Sequence, residues 1–378
     1  MKHSIQLDSL HFLQARDLVL MHGWNATAYQ ILNPGITYWF SSRKDAVIGY
    51  VCHAGVRIVA GAPVCDHQRL VEIVAEFEFE AARAGQRVCY FGAQTRMEQL
   101  FRNHPTHSTV LLGAQPAWRP QQWGDIVRTR ASLRAQIHRA RNKSVSVTEW
   151  SPELAHEHPT LRQCLNEWLK NKGLPPLHFL IEPKTLARLF DRRVFVAERD
   201  GHIAGFLVTS PIPQRNGWLV EQIIRSQRGP NGTSEILIDA AVQSMATAGN
   251  HYVTLGLSPL SRRADFSQNN INLPHHPLWL RFVFGWVRAH GQRFYNFDGL
   301  DAFKSKFQPE WWEPVFAISN EPNFSLQTLY AIASAFTNGT PITTILKALV
   351  GAAQTEIRWM IERVNSPEKS QIQPFVIR

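Results

Sequence analysis

The stretch GWLVEQIIRSQRGPNGTSEILIDAAV, residues 217–242, decides how the chain is read. Trp218 to Ile224 is a β-branched and aromatic run of strand type that enters a turn of Gly, Pro and Asn. A helix is expected to start near Thr233, with Ile236, Leu237, Ala240 and Ala241 on one side. In such a strand–turn–helix unit the backbone N–H groups at the helix start face outward and suit an anion or a carbonyl oxygen. Glu221 and Arg225, four apart, are expected on one face of the strand beside those groups. A carboxylate and a guanidinium so placed can hold an amino acid and stabilise an oxyanion.

Working outward, residues 36–40, 46–51 and 56–60 are three short apolar runs separated by turn residues. A helix is expected from His67 to Ala84, closed by Gly85, with a buried strand from Val88. This β-β-β-α-β order suits an α/β domain with a largely antiparallel sheet, assigned to residues 1–125. Residues 114–125, AQPAWRPQQWGD, read as a linker, and residues 126–144 as one basic helix. Ile126, Leu133, Ile137 and Ala140 form its apolar seam, while Arg130, Arg134, His138 and Arg141 form a second stripe. Arg128, Arg139 and Lys143 lie near that stripe, and no acidic residue follows Asp125 before Lys143. Solvated helix faces usually mix signs, so a track for RNA phosphates is the functional reading, against a solubilising helix as the bland one. A second α/β domain is assigned to 145–320 and a helical extension to 321–378. The extension holds two apolar-sided helices, which would dock on the body, build an oligomer or lie on a membrane.

At 378 residues, 44% hydrophobic and 19% charged, the chain is of folded, multidomain type. Its net charge of +10 favours a polyanionic partner, RNA, DNA or an anionic lipid surface. MKHSIQLDSLHFLQ lacks the apolar core of a signal peptide, and no run reaches the length of a transmembrane helix. Cys52, Cys65, Cys89 and Cys164 are widely spaced among apolar residues, as reduced core thiols of a cytoplasmic protein would be. The histidine pairs at 104/107, 156/158 and 275/276 have no Cys or carboxylate at ligand spacing, so no metal site is expected.

Three segments together carry a family resemblance. E-x-[hydrophobic]2-R at 221–225 is followed by PNGT-x-E at 230–235, then LGLSPLS at 255–261, then FYNF-x-GL-x-x-FK-x-KF-x-P-x-W at 294–311. The combination resembles the catalytic domain of the aminoacyl-phosphatidylglycerol synthases, the multiple peptide resistance factor family, in a free-standing form without the flippase part. The resemblance implies two tandem GNAT-like (acyl-CoA N-acyltransferase) folds joined by a basic helix. It also implies transfer of an amino acid from aminoacyl-tRNA to a hydroxyl of phosphatidylglycerol or another lipid. The alternatives are transfer to a small cytosolic hydroxyl or amine, and a non-catalytic RNA- or membrane-binding module.

Such a transfer needs no ATP, because its donor is already activated, and no P-loop is present. No cofactor is expected, aminoacyl-tRNA being the co-substrate, and the protein is expected in the cytoplasm or peripheral on the inner face of the membrane. Arg225 is the candidate for oxyanion stabilisation, Glu221 for the substrate ammonium or proton transfer, and Lys304 for catalysis beside an acceptor phosphate. Gln222, Asn231, Gly232, Thr233, Glu235, Ser258, Tyr295, Asp298 and Lys306 are candidate substrate contacts, Glu235 having a helix-capping role as its bland reading. Arg130, Arg134, His138, Arg139, Arg141 and Lys143 are candidate RNA contacts. Synthases of this family commonly carry an acid three before the arginine, where this chain has Gln222. Its carboxylate, Glu221, falls on the opposite strand face unless a bulge intervenes, which leaves the amino acid open.

Overall fold

A computed structural model describes residues 2–171, 178–264, 279–280 and 297–337. Helix α1 (Lys2–His22) leads through a 3-10 turn (Ala28–Leu32) into β1 (Thr37–Phe40), β2 (Val47–His53) and β3 (Val56–Ala60). Then come α2 (Leu70–Arg83), β4 (Arg87–Ala93), α3 (Thr95–Phe101) and β5 (Ser108–Trp118). Two short helices, α4 (Trp123–Thr129) and α5 (Ala131–Arg141), precede β6 (Ser146–Trp150), α6 (Pro152–Ala155) and α7 (Pro159–Asn171). The strands β7 (Arg193–Arg199), β8 (His202–Ile212) and β9 (Gly217–Arg225) follow, then α8 (Thr233–Thr247), β10 (Tyr252–Thr254) and β11 (Ser258–Pro259). After α9 (Phe297–Ser305) the described chain ends with β12 (Trp311–Ser319) and α10 (Leu326–Thr337). The second of the expected C-terminal helices lies outside the described residues.

Local chemistry accounts for these elements. Leu70, Ile73, Val74, Phe77 and Ala81 recur at three- and four-residue steps, so α2 buries one stripe against β4. Gly85, at φ 67°, takes the left-handed position that ends the helix. The single basic helix expected over 126–144 is instead two helices. Arg130 adopts an extended conformation (φ −91°, ψ 92°), which ends α4 and starts α5. The linker expected at 114–125 is also corrected: residues 114–118 complete β5, in the middle of the sheet. Gly113, Pro116 and Pro120 punctuate this segment as a loop would be, but a proline costs a ladder bond only where its nitrogen would donate.

The described strands form one sheet in the order β1-β2-β3-β4-β12-β5-β10-β9-β8-β7-β6, with β11 added beside β5. A pseudo-twofold relation runs between β12 and β5. It exchanges β4 with β10, β3 with β9, β2 with β8 and β1 with β7. In each half a helix, α2 or α8, crosses over between a parallel pair, β3–β4 or β9–β10. The fold is α/β, two GNAT-like halves joined through α4 and α5. The halves share their central strands, because β12 inserts between β4 and β5.

They differ where it matters for function. β3 and β4 stay paired along all of β3, from Val56 opposite Arg87 to Ala60 opposite Phe91. β9 pairs with β10 only through Gly217, Trp218 and Leu219, then continues to Arg225. On the other side of β9, Val208 lies opposite Gln222 and Thr209 opposite Val220, so Glu221 is the extra residue of a β-bulge. Among the described residues β9 has no strand pairing with β10 beyond Leu219, because β10 ends at Thr254. Sharing of β12 predicts a single cooperative unfolding transition for both halves. Shortening the chain to end at Gln308 is expected to abolish that transition entirely, followed by circular dichroism and proteolysis. A separately melting second half in the shortened chain would count against this coupling.

Candidate functional site

The bulge sets which way each side chain of β9 points. Val220 and Ile223 pack into the core shared with α8, whereas Ile224 packs into that of α7. One extra residue at Glu221 therefore reverses the alternation, and Glu221 and Gln222 both face away from α8. This overturns the expectation that Glu221 and Arg225 share a face. Arg225 is exposed on the α8 side, where its Nη1 donates to Asn231 Oδ1 at 3.1 Å.

Glu221 is half-buried and paired. Arg192 Nε and Nη2 donate to its carboxylate at 2.8 and 3.1 Å, and the Gln30 side-chain amide donates to the same oxygen as Nη2. Arg192 also donates to Asn33 Oδ1 at 3.2 Å and lies 4.8 Å over the Tyr29 ring. Burial opposes its charge, but Glu221 outweighs burial and leaves the guanidinium pKa raised. The turn at 28–32 thus brings first-half residues to the open edge of β9. Gln30 Nε2 donates to Ser210 Oγ at 3.0 Å, while Gln30 Oε1 and Thr209 Oγ1 are buried with no hydrogen-bond partner among the described residues. Gln222 accepts from Thr185 Oγ1 at 2.8 Å and donates to the Glu182 carbonyl at 2.8 Å.

The FDGLDAFKSKF segment forms α9 and the turn into β12. Phe303 and Phe307 face the core under α5 and α8, which draws Lys304 inside. Its Nζ donates to the carbonyls of Gly256 and Leu257, both at 2.8 Å, just beyond β10. Burial pushes the amine down to about 7, against the pull of Asp301. A lysine so placed can take and return a proton near neutrality. Asp301 was not foreseen, although it stands three before Lys304 on the helix. It accepts from Ser261 Oγ at 2.6 Å and Arg263 Nε at 2.7 Å, with Ser258 Oγ at 3.4 Å. Burial opposes ionisation of Asp301, but Ser261 and Arg263 hold the carboxyl below its usual range. Asp298 lines an open cleft with Arg262 and Arg263 next to Asp301. Tyr295 lies outside the described residues.

The turn before α8 is not the open anion cradle expected. Gly232, at φ 98°, lies directly under the Gln136 carbonyl of α5, where a side chain would clash, and Thr233 is fully buried. Thr233 Oγ1 donates to the Pro230 carbonyl at 2.7 Å. Glu235 pairs with Lys306, whose Nζ also lies 4.3 Å from the Phe303 ring centre. Lys306 is thus occupied within the fold. The basic stripe is divided in the same way. Leu133, Ile137 and Ala140 bury α5 against α8, and Arg141 donates to Asp239 Oδ2 at 3.0 Å. Asp239 also accepts from Trp123 Nε1 at 3.0 Å, so it fastens both α4 and α5. Arg134 donates to the Arg128 carbonyl, whereas Arg130, His138, Arg139 and Lys143 are exposed.

A further cluster between the halves had no signal in the sequence. Glu313 on β12 accepts from Arg215, from Gln115 at 2.8 Å, from Tyr252 at 2.8 Å and from Gln94 at 3.1 Å. Burial opposes its ionisation, but Arg215 holds its pKa below the usual carboxylate value. His107, in a loop expected to lack carboxylate neighbours, has Nε2 3.1 Å from Glu78. Cys65, Cys89 and Cys164 are buried as expected, and Cys52 is exposed.

Comparison with known proteins agrees with this architecture. The family model for "Phosphatidylglycerol lysyltransferase, C-terminal" matches residues 16–319. An uncharacterized protein of Corynebacterium glutamicum is 23% identical over 343 residues, 84% of this chain and 40% of that protein. Phosphatidylglycerol lysyltransferase of Bacillus subtilis is 22% identical over 278 residues, 72% of this chain and 31% of that one. The chain therefore spans less than half the length of these curated relatives. Among solved structures, L-PGS from Bacillus licheniformis superposes with a TM-score of 0.68 at 20% identity, covering 89% of this chain and 95% of that one. A C-terminal DUF2156 domain from Agrobacterium fabrum gives 0.73 at 21%, covering 88% and 98%. Both show the same fold.

The Arg192–Glu221 pair gives a stability prediction. Glu221→Gln leaves a buried guanidinium uncompensated and is expected to cost about 3–5 kcal/mol in urea unfolding. The double change Arg192→Met with Glu221→Leu is expected to recover most of that loss. A single-variant cost below about 1 kcal/mol, the size of a surface pair, would contradict the buried pairing.

Proposed function

The chain belongs to the phosphatidylglycerol lysyltransferase C-terminal family, and from that premise we propose that it moves an aminoacyl group from aminoacyl-tRNA to a hydroxyl of phosphatidylglycerol. The observation that carries this reading is Lys304. It is a buried amine that titrates near neutrality at the point where β9 has parted from β10. In the reaction the acceptor oxygen bonds to the ester carbonyl carbon, and the resulting tetrahedral oxyanion collapses as the bond to the tRNA ribose oxygen breaks. The hydroxyl proton ends on that ribose oxygen, so one group must accept it and return it. Lys304 takes this role in the proposal.

The rest of the site is assigned by position. Arg225 lies on the opposite face of β9 from Glu221 and Gln30, so the proposal gives it no part in holding the aminoacyl group. The unpartnered acceptor Gln30 Oε1, beside the carboxylate of Glu221, suits the ammonium of the aminoacyl group. Arg130, His138, Arg139 and Lys143 offer the tRNA backbone an exposed basic edge. No helix of the described residues is long and apolar enough to cross a membrane. The proposal includes contact with an anionic bilayer, on its cytoplasmic side, supported by the net charge of +10.

The test is transfer of a radiolabelled amino acid from charged tRNA into extractable phosphatidylglycerol, with ribonuclease as control. Absence of ribonuclease-sensitive label in lipid for all amino acids would overturn the reading. Lys304 fixes the pH dependence. Below pH 7 its amine is protonated and cannot accept the proton, and above 7 it is free, so kcat/KM is expected to rise through about 7 and then level. Lys304→Arg, permanently charged, is expected to lose about 10²–10⁴-fold at every pH, whereas a flat wild-type profile from pH 5.5 to 8.5 would remove Lys304 from proton transfer. For the basic edge, Arg139→Glu with Lys143→Glu is expected to weaken tRNA binding and flatten its logarithmic salt slope by about 1 per lost contact. Filter binding between low and moderate salt reads this, and an unchanged slope would make α5 a purely structural helix.

A further inference from the structure

The pseudo-twofold relation gives the first half its own counterpart of the open end of β9. There, at the C-terminal ends of β3 and β4, a pocket is lined by Trp24, Asn25, Cys65, His67, Gln94 and Arg96, among others. Arg96 is half-buried, and its guanidinium lies 4.1 Å over the Trp24 ring. Arg215 lies over the same ring at 4.9 Å. Two guanidiniums therefore share one indole, and only one of them has an anion. Glu313 is taken by Arg215, and Glu98, two residues after Arg96 on α3, is taken by Arg102 at 2.8 Å. Asp66, next to His67, accepts from the Gln68 backbone nitrogen at 2.8 Å. Among the described residues no carboxylate or carbonyl meets Arg96. Burial and the neighbouring Arg215 charge both pull its pKa below the usual guanidinium value.

The other polar groups are committed to the fold. Asn25 Nδ2 donates to the Gly92 carbonyl at 3.2 Å, and Gln94 joins the Ala26 nitrogen to Glu313. The pocket thus presents a stacked cation with its donors unspent, flanked by the imidazoles of His22 and His67. A guanidinium fork held over an aromatic ring is pre-organised for a tetrahedral oxyanion ligand.

We propose that Arg96 and Trp24 form a binding site for the phosphate of a small phosphate ester, in the first half and apart from the Lys304 centre. The headgroup phosphodiester of a second phosphatidylglycerol molecule, not the one undergoing transfer, is the source that rests on the phosphatidylglycerol reading above. Free glycerol phosphate is the other source of the same chemistry.

Calorimetric titration of the full chain at low salt tests this, with dihexanoyl phosphatidylglycerol below its micellar concentration and glycerol 3-phosphate as separate probes. Binding of either probe is expected to weaken about tenfold or more in Arg96→Gln, with partial retention in Arg96→Lys. Lys304→Met is expected to bind as wild type while losing transfer, which separates this site from the reaction centre. Trp24→Phe supplies a second variant should Arg96→Gln fail to fold, and it too should weaken binding. Arg96-dependent binding of glycerol 3-phosphate without the lipid keeps the site and counts against the lipid headgroup as its ligand. Wild type that binds neither probe, or variants of Arg96 and Trp24 that bind both unchanged, would overturn the proposal.

Discussion

The antiparallel pairing of β5 with β12 is the constraint on which the rest of the protein depends. Nine successive residues of β12 lie opposite β5, and the same strand hydrogen-bonds β4 on its far side. Each half would otherwise end in an exposed strand edge, with its row of unpaired N–H and C=O groups. Joining the edges turns two partial sheets into one and fixes how the halves face each other. The cluster around Glu313 lies on this seam and brings residues from five separate segments into one hydrogen-bonded group. A carboxylate buried there is tolerated because Arg215 compensates its charge and the remaining acceptor positions are filled.

From that shared seam the two halves diverge in one respect, and it is backbone chemistry that separates them. The first half keeps its parallel pair closed. The second half has a bulge at Glu221 and a short partner in β10, so among the described residues the last part of β9 has no paired strand on that side. The opened edge is then filled by groups drawn from elsewhere. Arg192, Gln30 and Asn33 reach one face, while Lys304 reaches the end of β10 from the other. Several of these groups carry charge in places water does not reach, where an ion pair or a near-neutral amine responds strongly to what binds beside it.

Sequence alone determined the local elements and the family. Short apolar runs marked β1 to β4 and β9 because strand and helix periodicity are properties of neighbouring residues. The FYNF…FKSKF pattern carried Lys304 into the candidate site, and the family match over residues 16–319 agrees with that resemblance. The reading failed where the answer depended on distant partners. Residues 114–118 look like a linker because of Pro116 and the nearby Pro120, yet they lie between β10 and β12 and are held by both. Arg141 and Lys306 look free to meet a ligand, but Asp239 and Glu235 already neutralise them.

Only the tertiary structure decided which charged groups remain available and which way they point. A bulge is set by the register between two strands, so no spacing within β9 reveals that Glu221 and Arg225 part to opposite faces. The depressed pKa of Lys304 has the same character. Its sequence neighbours say only that aromatic residues flank it, whereas burial of its amine lowers the pKa against the opposing pull of Asp301. Local pattern is written in the order of residues along the chain. Electrostatics and access depend on distances across it, and those exist only once the sheet has closed.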